Sequence, residues 1–384
     1  MRRHTAHTGR KAGMKVLHVI GSLDSGGAER TLARLVRSTA GEITHEIITF
    51  RVAGWLEQQV RESGVTVRTV PLRGRDLRQG LGLLRTAIQA SEADVVHPWM
   101  HHSCVLTTLA MPAGRPVVWG IRTMAQPWRE RPTTAAAMLA SVVASRRATV
   151  IVYNSHAAER SHRRIGYPAA TGVVIHNGYD PDALTATPAE ATEWRGAKGI
   201  PVDAPLLMQV GRFHPVKGHR FLLQVLQGSD VLGSDWHLAF VGRPDGVGEG
   251  ELRAAAAAAG LGGRFHIVGE SQDVRLALAA ADLVVVPSLW GESFPNAVAE
   301  AMCCGTTVVA ADLGDTREIV GACGTVVAAG DREAWADALR RVTRSHDLEA
   351  MGRAARERIG STFSIDTFTN RYAAVLERAA GRGV

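Results

Sequence analysis

Residues 287–305 have the sequence PSLWGESFPNAVAEAMCCG, and this stretch predicts the fold of the chain. It follows the apolar run Leu283–Val286, which is typical of a strand buried on both faces of a parallel sheet. Pro295 favours the first turn of a helix, because that turn has no partner for the N–H group that proline lacks. A buried strand, a short loop and a helix therefore follow one another, which is the repeating unit of an open α/β sheet.

The loop and the start of this helix form a candidate ligand site. Unpaired backbone N–H groups and the helix dipole favour an anion at a helix start, so we predict an anion site there. The residues at that start are Ser293, Phe294, Pro295 and Asn296. Glu292 on the loop and Glu300 in the helix could hold sugar or ribose hydroxyls. The alternative is two ordinary surface acids, but open α/β sheets bind ligands at this end of their strands, which favours a site.

Two cationic segments of the second half predict a diphosphate site. Gly211-Arg212 and Lys217-Gly218 follow another apolar run. A guanidinium binds an oxyanion through two hydrogen bonds, and an ammonium adds a point charge. Two solvated loop cations are the alternative. Gly242 and Gly269 end two further predicted strands beside this site. We predict that these cations, and not a metal ion, neutralise a leaving group.

Predicted strands of the first half also end in candidate site residues. The strand Lys15–Ile20 is followed by Gly26-Gly27, which lets the backbone approach a ligand closely. This segment does not match the G-x-G-x-x-G pattern of dinucleotide sites. We predict that His97 leaves a strand just before a proline, and that Arg122 leaves the next strand at its carboxyl end. The histidines near His97 lack the spacing of a zinc site.

Length and composition indicate two domains in a reducing compartment. The chain has 384 residues, of which 46% are apolar, enough for two cores. We expect no transmembrane helix, because no apolar run is long enough. Residues 1–13 are basic and lack an apolar segment, so they are expected to be a disordered extension and not a signal peptide. The four cysteines show neither metal nor disulfide spacing, which predicts a cytoplasmic protein.

Charge is distributed unevenly between the halves. Up to Asp180 there are 24 lysines and arginines against 12 acidic residues, whereas the remainder holds 20 against 25. A basic first half favours an anionic partner such as a membrane surface, a phosphorylated acceptor or a nucleic acid. Arginine-rich surface composition without a partner is the alternative. An arginine-bearing helix predicted at 76–90 could lie on an anionic membrane, or could simply pack on the sheet.

These motifs together resemble a known family. Gly291–Asn296 with Glu300 resembles the E-x7-E signature of retaining glycosyltransferases of the GT-B fold, family 4 in particular. Gly211–Gly218 and Asn177–Asp180 resemble two further elements of the same family. The resemblance covers about Lys15 to Arg378. It implies an α/β chain of the GT-B fold, with two Rossmann-like parallel-sheet domains facing across a cleft.

The resemblance also implies a division of the chain. We expect an acceptor-binding domain at 14–180 and a linker at 181–204. A nucleotide-sugar-binding domain is expected at 205–362. A last helix within 363–384 is expected to cross back to the first domain.

Roles for the candidate residues follow from the family. Glu292 would hold sugar hydroxyls, Glu300 the ribose hydroxyls, and His97 would lie near the transferred sugar. Gly26-Gly27 and Arg122 would face the diphosphate and the acceptor. The implied reaction retains configuration by same-face attack, with the leaving phosphate as the base. It needs no metal and no cofactor, and the donor is expected to be a UDP-sugar.

The partners and two other functions stay open at this point. The hydroxyl acceptor is either phosphate-bearing, such as a lipid-linked pyrophosphate sugar, or a neutral soluble cyclitol or aminosugar. Glycan, glycolipid and secondary-metabolite biosynthesis all fit. Peripheral membrane contact through the basic first domain is considered, and no nucleic acid is expected. The alternatives are a membrane- or nucleic-acid-binding scaffold with a degenerate transferase fold, and a sugar-nucleotide epimerase of the same fold.

Overall fold

The structure, a computed structural model, describes residues 13–24, 26–52, 54–72, 77–112, 114–227, 231–271 and 273–382. The predicted extension 1–13 lies outside this set apart from its last residue. Contacts between Cα atoms separate the chain into two compact units. The first unit comprises Met1–Asn154, Ala158–Ile175 and Thr369–Val384, and the second comprises Ser155–Ala157 and His176–Phe368.

The first unit is built on parallel strands. They are β1 (Met14–Ile20), β2 (Ile43–Thr49), β3 (Thr66–Thr69), β4 (Val95–Pro98), β5 (Val118–Ile121), β6 (Val150–Tyr153) and β7 (Gly172–Val174). One sheet has the order β3-β2-β1-β4 and the other β5-β6-β7. Bridges from Val96 to Val117 and from Trp99 to Gly120 join the two. Every residue of β4 and β5 is buried, as expected for parallel strands covered on both faces.

Helices flank these sheets. They are α1 (Gly27–Ser38), α2 (Trp55–Glu62), α3 (Leu77–Ala90), α4 (Met100–Ala110), α5 (Pro132–Ala144) and α6 (His156–Arg164), with 3₁₀ turns at Pro127–Arg129 and Ser145–Arg147. The sequence pattern did not predict α4, because its buried positions include polar residues such as Ser103 and Thr107. The helix predicted at 76–90 begins outside the described residues. Its Leu77 is 54% exposed because the first turn of α3 lies in solvent, whereas Leu84 is buried.

The second unit holds one parallel sheet. Its strands are β8 (Leu206–Val210), β9 (His237–Val241), β10 (Phe265–Gly269), β11 (Leu283–Val286), β12 (Thr307–Ala311) and β13 (Thr325–Val327). Their order is β10-β9-β8-β11-β12-β13, and each neighbouring pair is parallel. This is the strand order of a Rossmann sheet, with the order reversing between β8 and β11. All four residues of β11 are buried, as predicted.

The helices of the second unit cover both faces of this sheet. They are α7 (Pro188–Ala197), α8 (His219–Leu226), α9 (Glu249–Ala258), α10 (Val274–Ala279), α11 (Asn296–Cys303), α12 (Thr316–Val320), α13 (Arg332–Thr343) and α14 (Leu348–Thr362), with 3₁₀ turns at Pro215–Lys217 and Gly262–Arg264. The short elements α8, α12 and β13 were not predicted, because so few residues give no clear period. Helix α7 lies in the predicted linker, and its Arg195 donates to Asp282 at 2.8 Å.

A last helix, α15 (Ile365–Ala379), belongs to both units. Its first turn is grouped with the second unit, and the chain from Thr369 onward is grouped with the first. Thr369 donates to the Ser38 hydroxyl at 2.8 Å, and Tyr372 is fully buried. None of the helices among the described residues is long and apolar enough to cross a membrane.

Candidate active site

The second unit has a candidate ligand site where its strand order reverses. Strands β8 and β11 are hydrogen-bonded neighbours, but the chain continues from β8 to β9 on one side and from β11 to β12 on the other. The loops that leave two such strands diverge and leave room for a ligand. Here they are residues 211–218 after β8 and residues 287–295 after β11.

Three predicted site glycines meet at the ends of adjoining strands. The Gly211 N–H donates to the Val241 carbonyl at 2.9 Å, and the Gly242 N–H donates to the Gly269 carbonyl at 2.8 Å. A Cβ at Gly242 would overlap the Gly211 carbonyl oxygen. The loop ends after β8, β9 and β10 are therefore packed backbone against backbone.

Lys217 and Glu292, which lie on the two diverging loops, form an ion pair. The distance from Nζ to Oε1 is 2.6 Å, and the Ser288 hydroxyl donates to the same oxygen at 2.8 Å. Burial raises the pKa of the Glu292 carboxyl, but Lys217, Ser288 and Arg212 lower it by more, so its pKa lies below the ordinary value. Glu292 is therefore ionised at neutral pH and holds the ammonium of Lys217.

The loop that carries Lys217 is held in place by its backbone. The Gln209 amide donates to the Lys217 carbonyl at 2.7 Å. Gly218 has a φ of 72°, in the left-handed region, and a Cβ there would overlap the Pro287 carbonyl oxygen. Only glycine satisfies both demands, so Gly218 sets the close approach of the two loops.

Arg212 pairs with an acid that the sequence did not single out. Its guanidinium contacts the Asp245 carboxylate, while 54% of the arginine side chain remains exposed. Asp245 lies on the loop after β9, which is tied to the Arg212 loop by a 2.8 Å hydrogen bond from the Phe213 N–H to the Arg243 carbonyl. The structure thus brings both predicted diphosphate cations to the same edge of the sheet, each beside a carboxylate.

Side chains at the start of α11, where the anion site is predicted, already make contacts within the protein. Pro295 is the N-cap residue and not a residue of the first turn, which corrects the prediction. Phe294 is buried. The Asn296 side-chain oxygen accepts from the Asn177 amide at 2.6 Å and from the Tyr179 hydroxyl at 2.7 Å. The Asn296 side chain is therefore fixed to the segment that follows the first unit's last strand.

Ser293 and Glu300, the remaining predicted residues, are both largely buried, at 4% and 8% exposure. Glu300 lies in the middle of α11. The Ser293 carbonyl accepts from the Asp315 N–H at 2.9 Å, and a Cβ at Gly314 would overlap that carbonyl. The loop after β12 therefore packs directly against the Glu292–Ser293 segment.

Asp315 is a residue that sequence reasoning missed. Its carboxylate accepts from the His156 N–H at 2.7 Å, the Ala157 N–H at 3.0 Å and His176 Nε2 at 3.1 Å. Burial raises the pKa of Asp315, but these hydrogen bonds lower it by more. A signal was present, since Leu313-Gly314-Asp315 closely follows the predicted strand 307–310, at the same edge of the sheet as the β11 loop.

In the first unit the strand order reverses between β1 and β4, and His97 lies in β4. The prediction that His97 leaves the strand was wrong, because β4 continues to Pro98. The His97 Nδ1–H donates to the Val118 carbonyl at 2.6 Å, and Nε2 is buried with no hydrogen-bond partner among the described residues. Burial lowers the pKa of His97 to about 3, although the Val118 contact opposes this shift. His97 is therefore neutral, with Nε2 free to accept.

Buried histidines beside His97 form a hydrogen-bonded chain. The Trp99 indole can only donate, so it donates to His18 Nδ1 at 3.2 Å. His18 Nε2 then donates to His45 Nδ1 at 3.0 Å, and His45 Nε2 donates to the Thr39 hydroxyl at 2.7 Å. Burial lowers the pKa of His45 to about 4 and that of His18 well below its ordinary value. One tautomer of each ring satisfies the chain, and both rings are neutral.

Arg122 directly follows β5, as predicted, and its side chain is buried, with 9% exposure. Its guanidinium hydrogen-bonds to the Tyr372 hydroxyl and lies 5.0 Å from the centre of the Trp99 ring. These contacts keep it inside the first unit. Gly26 is the N-cap of α1 and Gly27 its first residue, so this pair opens the helix that follows β1.

Two family models match the chain. The model described as Glycosyltransferase Family 4 matches residues 25–183, and the model described as Glycosyl transferases group 1 matches residues 204–345.

Curated relatives match at lower coverage. A D-inositol 3-phosphate glycosyltransferase of Xylanimonas cellulosilytica is 36% identical over 225 residues, which is 54% of this chain and 52% of the relative. A phosphatidyl-myo-inositol mannosyltransferase of Mycobacterium leprae is 36% identical over 181 residues, which is 46% of this chain and 45% of the relative. The chain thus matches about half the length of these relatives.

Solved structures match almost the whole chain. HepE from Anabaena, in complex with UDP-glucose, superposes with a TM-score of 0.83 at 24% identity, covering 95% of this chain and 100% of that one. Sucrose-phosphate synthase from Thermosynechococcus elongatus gives a TM-score of 0.77 at 19% identity, covering 95% and 98%. At these identities the likeness shows the fold alone.

Proposed function

We propose that this chain, which belongs to glycosyltransferase family 4, transfers a sugar from a nucleotide-sugar donor to a hydroxyl acceptor with retention of configuration. The observation that carries the proposal is the ion pair between Lys217 and Glu292, whose charged atoms lie 2.6 Å apart. It lies at the switch point of the second unit, which is the place where the strand order reverses between β8 and β11. A cation and a carboxylate on diverging loops supply both functions that such a donor needs. One group binds the diphosphate and the other binds the sugar.

The donor site would work by exchange of partners. An incoming diphosphate competes with Glu292 for the Lys217 ammonium and with Asp245 for the Arg212 guanidinium. Once Lys217 faces phosphate, the Glu292 carboxylate is free to accept hydrogen bonds from sugar hydroxyls. Glu300 would accept from the ribose. As the glycosidic bond breaks, the two cations stabilise the charge on the leaving phosphate, so we propose that no metal clamp and no cofactor are required.

A UDP-sugar is the donor we propose. The structural neighbour HepE has UDP-glucose bound, which supports this choice although the likeness itself concerns the fold. The leaving phosphate would take the acceptor proton. His97 offers a neutral, buried Nε2 acceptor, which we propose accepts from a hydroxyl of the transferred sugar.

Titration of UDP, and then GDP, into wild type, Arg212→Ala and Lys217→Ala tests the donor site. Loss of a charge-assisted contact costs on the order of 1.5–3 kcal/mol, which weakens binding roughly 10- to 150-fold. Lys198→Ala and Arg253→Ala, at exposed positions of the same unit, are matched controls that should bind like wild type. Unchanged affinity in both site variants, for whichever nucleotide binds, would overturn the assignment.

For the acceptor we propose a phosphorylated cyclitol of the inositol phosphate class. Two relatives are named for inositol 3-phosphate and phosphatidyl-myo-inositol, and the first half of this chain is basic. A phosphate on the acceptor would be attracted by that charge. Product formation with inositol 3-phosphate, with phosphatidylinositol vesicles and with unphosphorylated inositol separates the soluble, lipid-linked and neutral cases. Transfer to inositol alone would contradict the proposal.

Helix α5 supports a peripheral membrane contact better than the helix considered from the sequence. Its thirteen residues carry no charge, and Leu139 and Val143 are 56% and 68% exposed. Trp128, just before it, is 73% exposed. Exposed arginines flank the helix on both sides, namely Arg129, Arg131, Arg146 and Arg147. An apolar face between basic ends suits an anionic lipid surface, so we propose that α5 and not α3 makes this contact.

Co-sedimentation with anionic and neutral vesicles, at low and high salt, tests the contact. Screening acts over about 8 Å at physiological ionic strength, so binding to anionic vesicles should weaken with salt. Leu139→Glu with Val143→Glu should abolish binding, whereas Leu83→Glu on α3 is the matched control. If only the α3 variant lost vesicle binding, the membrane contact would be assigned to α3. We also propose a cytoplasmic location, where the four free thiols would stay reduced.

A further inference from the structure

Three potential metal ligands of the second unit lie together outside the donor site. Each of His156, His176 and Glu318 has one ligand atom, and these atoms lie within 4.8 Å of one another. They come from three separate segments of the chain, namely the start of α6, the residue that opens the second unit's main segment, and α12. Because the three residues lie on separate segments, the spacing of residues along one helix does not explain why they are close together.

Hydrogen bonding orients His176 toward the centre of this group. His176 Nε2 lies 3.1 Å from the Asp315 carboxylate and donates to it. The neutral ring therefore has its lone pair on Nδ1, and Nδ1 faces Glu318 Oε1 at 3.8 Å. A metal ion between these two acceptor atoms could bind both of them after a small movement.

Asp315 supplies the outer support that a metal-binding histidine usually has. Metal-ligating histidines commonly donate their second ring N–H to a carboxylate, which fixes the ring and makes it more basic. The Asp315 carboxylate also accepts the N–H groups of His156 and Ala157 at 2.7 and 3.0 Å. One fixed carboxylate thus positions the backbone of the first ligand and the ring of the second.

We propose that His156, His176 Nδ1 and Glu318 bind a first-row divalent metal ion of the zinc class. Two imidazoles and one carboxylate suit Zn²⁺ better than Mg²⁺ or Ca²⁺, which prefer oxygen ligands. Bonds of about 2.0–2.2 Å require neighbouring ligand atoms to lie about 3.3 Å apart. The observed spacing allows this after small rotations of His156 and Glu318, which are exposed. The fourth position would hold water.

The proposed ion does not act on the diphosphate. Its effect would reach the donor loop through the Asp315 N–H, which donates to the Ser293 carbonyl at 2.9 Å. Holding His176 and Glu318 together would restrain the segment 312–318. The site would therefore stabilise the second unit and would leave transfer chemistry to the groups described above.

Titration calorimetry of the chelator-treated, untagged full chain with ZnCl₂ tests the proposal, with MgCl₂ and CaCl₂ as competitors. We expect one zinc per chain and a higher unfolding temperature. His156→Ala, His176→Ala and Glu318→Gln should each weaken zinc binding at least tenfold, and Asp315→Asn should weaken it about 10- to 100-fold. His346→Ala and Glu357→Gln, exposed in the same unit, are controls that should bind like wild type.

Either of two results would overturn the proposal. One is the absence of saturable zinc binding to wild type, which would leave His176 as a hydrogen-bond partner of Asp315 alone. The other is zinc binding that survives in the His156→Ala/His176→Ala double variant, which would place the ion elsewhere.

Discussion

The two units place different chemistry at equivalent positions of their sheets. In the second unit, the switch point between β8 and β11 carries charged groups that pair with each other, Lys217 with Glu292. In the first unit, the switch point between β1 and β4 carries neutral, buried imidazoles, His18 beside His97. Paired charges can exchange partners with an ionic ligand. Buried neutral rings can only offer hydrogen bonds, so the same sheet topology does not imply the same ligand.

We expect the largest difference between the two units when the pH is lowered, because folding stability should then be lost mainly in the first unit. Among the described residues of the first unit, burial lowers the pKa of five histidines, namely His18, His45, His97, His101 and His162. Their ordinary pKa is near 6.5, so the unfolded chain takes up protons first as the pH falls. Stability is intact above about pH 6.5 and is lost toward the folded pKa, which is about 3 for His97 and about 4 for His45.

At pH 5.5 His45, His97 and His162, whose folded pKa is about 3 or about 4, each lose about 1.4 kcal/mol, so the first unit should lose on the order of 4 kcal/mol from these three. Glu292 loses its contribution only as the pH falls below about 4.3, because its pKa is lowered. In the second unit burial lowers the pKa of His219 to about 3, and it also lowers the pKa of His237 and His266, which are less buried. Hydrogen exchange at pH 7.5 and 5.5 should show loss of protection mainly in β1 and β4 peptides. Equal loss in β8 and β11 would contradict this contrast.

The Lys217–Glu292 pair should make the second switch point sensitive to single substitutions. Lys217→Ala leaves Glu292 partly buried without its partner, which we expect to cost about 3 kcal/mol of unfolding free energy. Glu292→Ala should cost a similar amount, and the double variant should cost less than the sum by about 1–3 kcal/mol. Denaturant unfolding measures this cycle, with Lys198→Ala as the near-neutral control. Strict additivity would mean that the pair does not interact.

A substitution at His97 tests whether its buried acceptor atom, Nε2, contributes to transfer. His97→Phe removes Nε2, and we expect a two- to tenfold fall in turnover, the worth of one neutral hydrogen bond of about 0.5–1.5 kcal/mol. UDP affinity, which we assign to the second unit, should not change. His101→Phe is a matched control at another buried histidine of the first unit. A change in UDP affinity without a change in turnover would refute the role proposed for His97.

Chelation should have the smallest effect on catalysis. With Arg212 and Lys217 as the charges on the leaving group, turnover in excess EDTA should stay within about twofold of the untreated enzyme. A melting curve on the same samples would report any stabilising ion separately. Abolished transfer that magnesium or manganese restores would show that the cations are insufficient.

Much of the fold followed from the sequence. A buried strand such as Leu283–Val286 can be predicted from its four consecutive apolar residues. The prediction of a GT-B fold with two Rossmann-like domains was confirmed. The resemblance to glycosyltransferase family 4 was likewise confirmed. Helix α4 was not predicted, because its buried residues include polar ones and show no periodic pattern of leucines. The roles of the candidate site residues stay predictions.

By itself the sequence determined which residues stand at the strand ends, because short-range hydrophobic periods and glycine or proline signals are local. It identified Lys217, Glu292 and the glycines of the donor edge in this way. Only the tertiary structure decided which of these side chains pair. Lys217 pairs with Glu292, which lies 75 positions away in the sequence. The Arg122 guanidinium packs against the Trp99 ring. Asp315 accepts hydrogen bonds from His156 and His176. Such partnerships depend on strand order, which brings distant segments to one sheet edge and which no local pattern encodes.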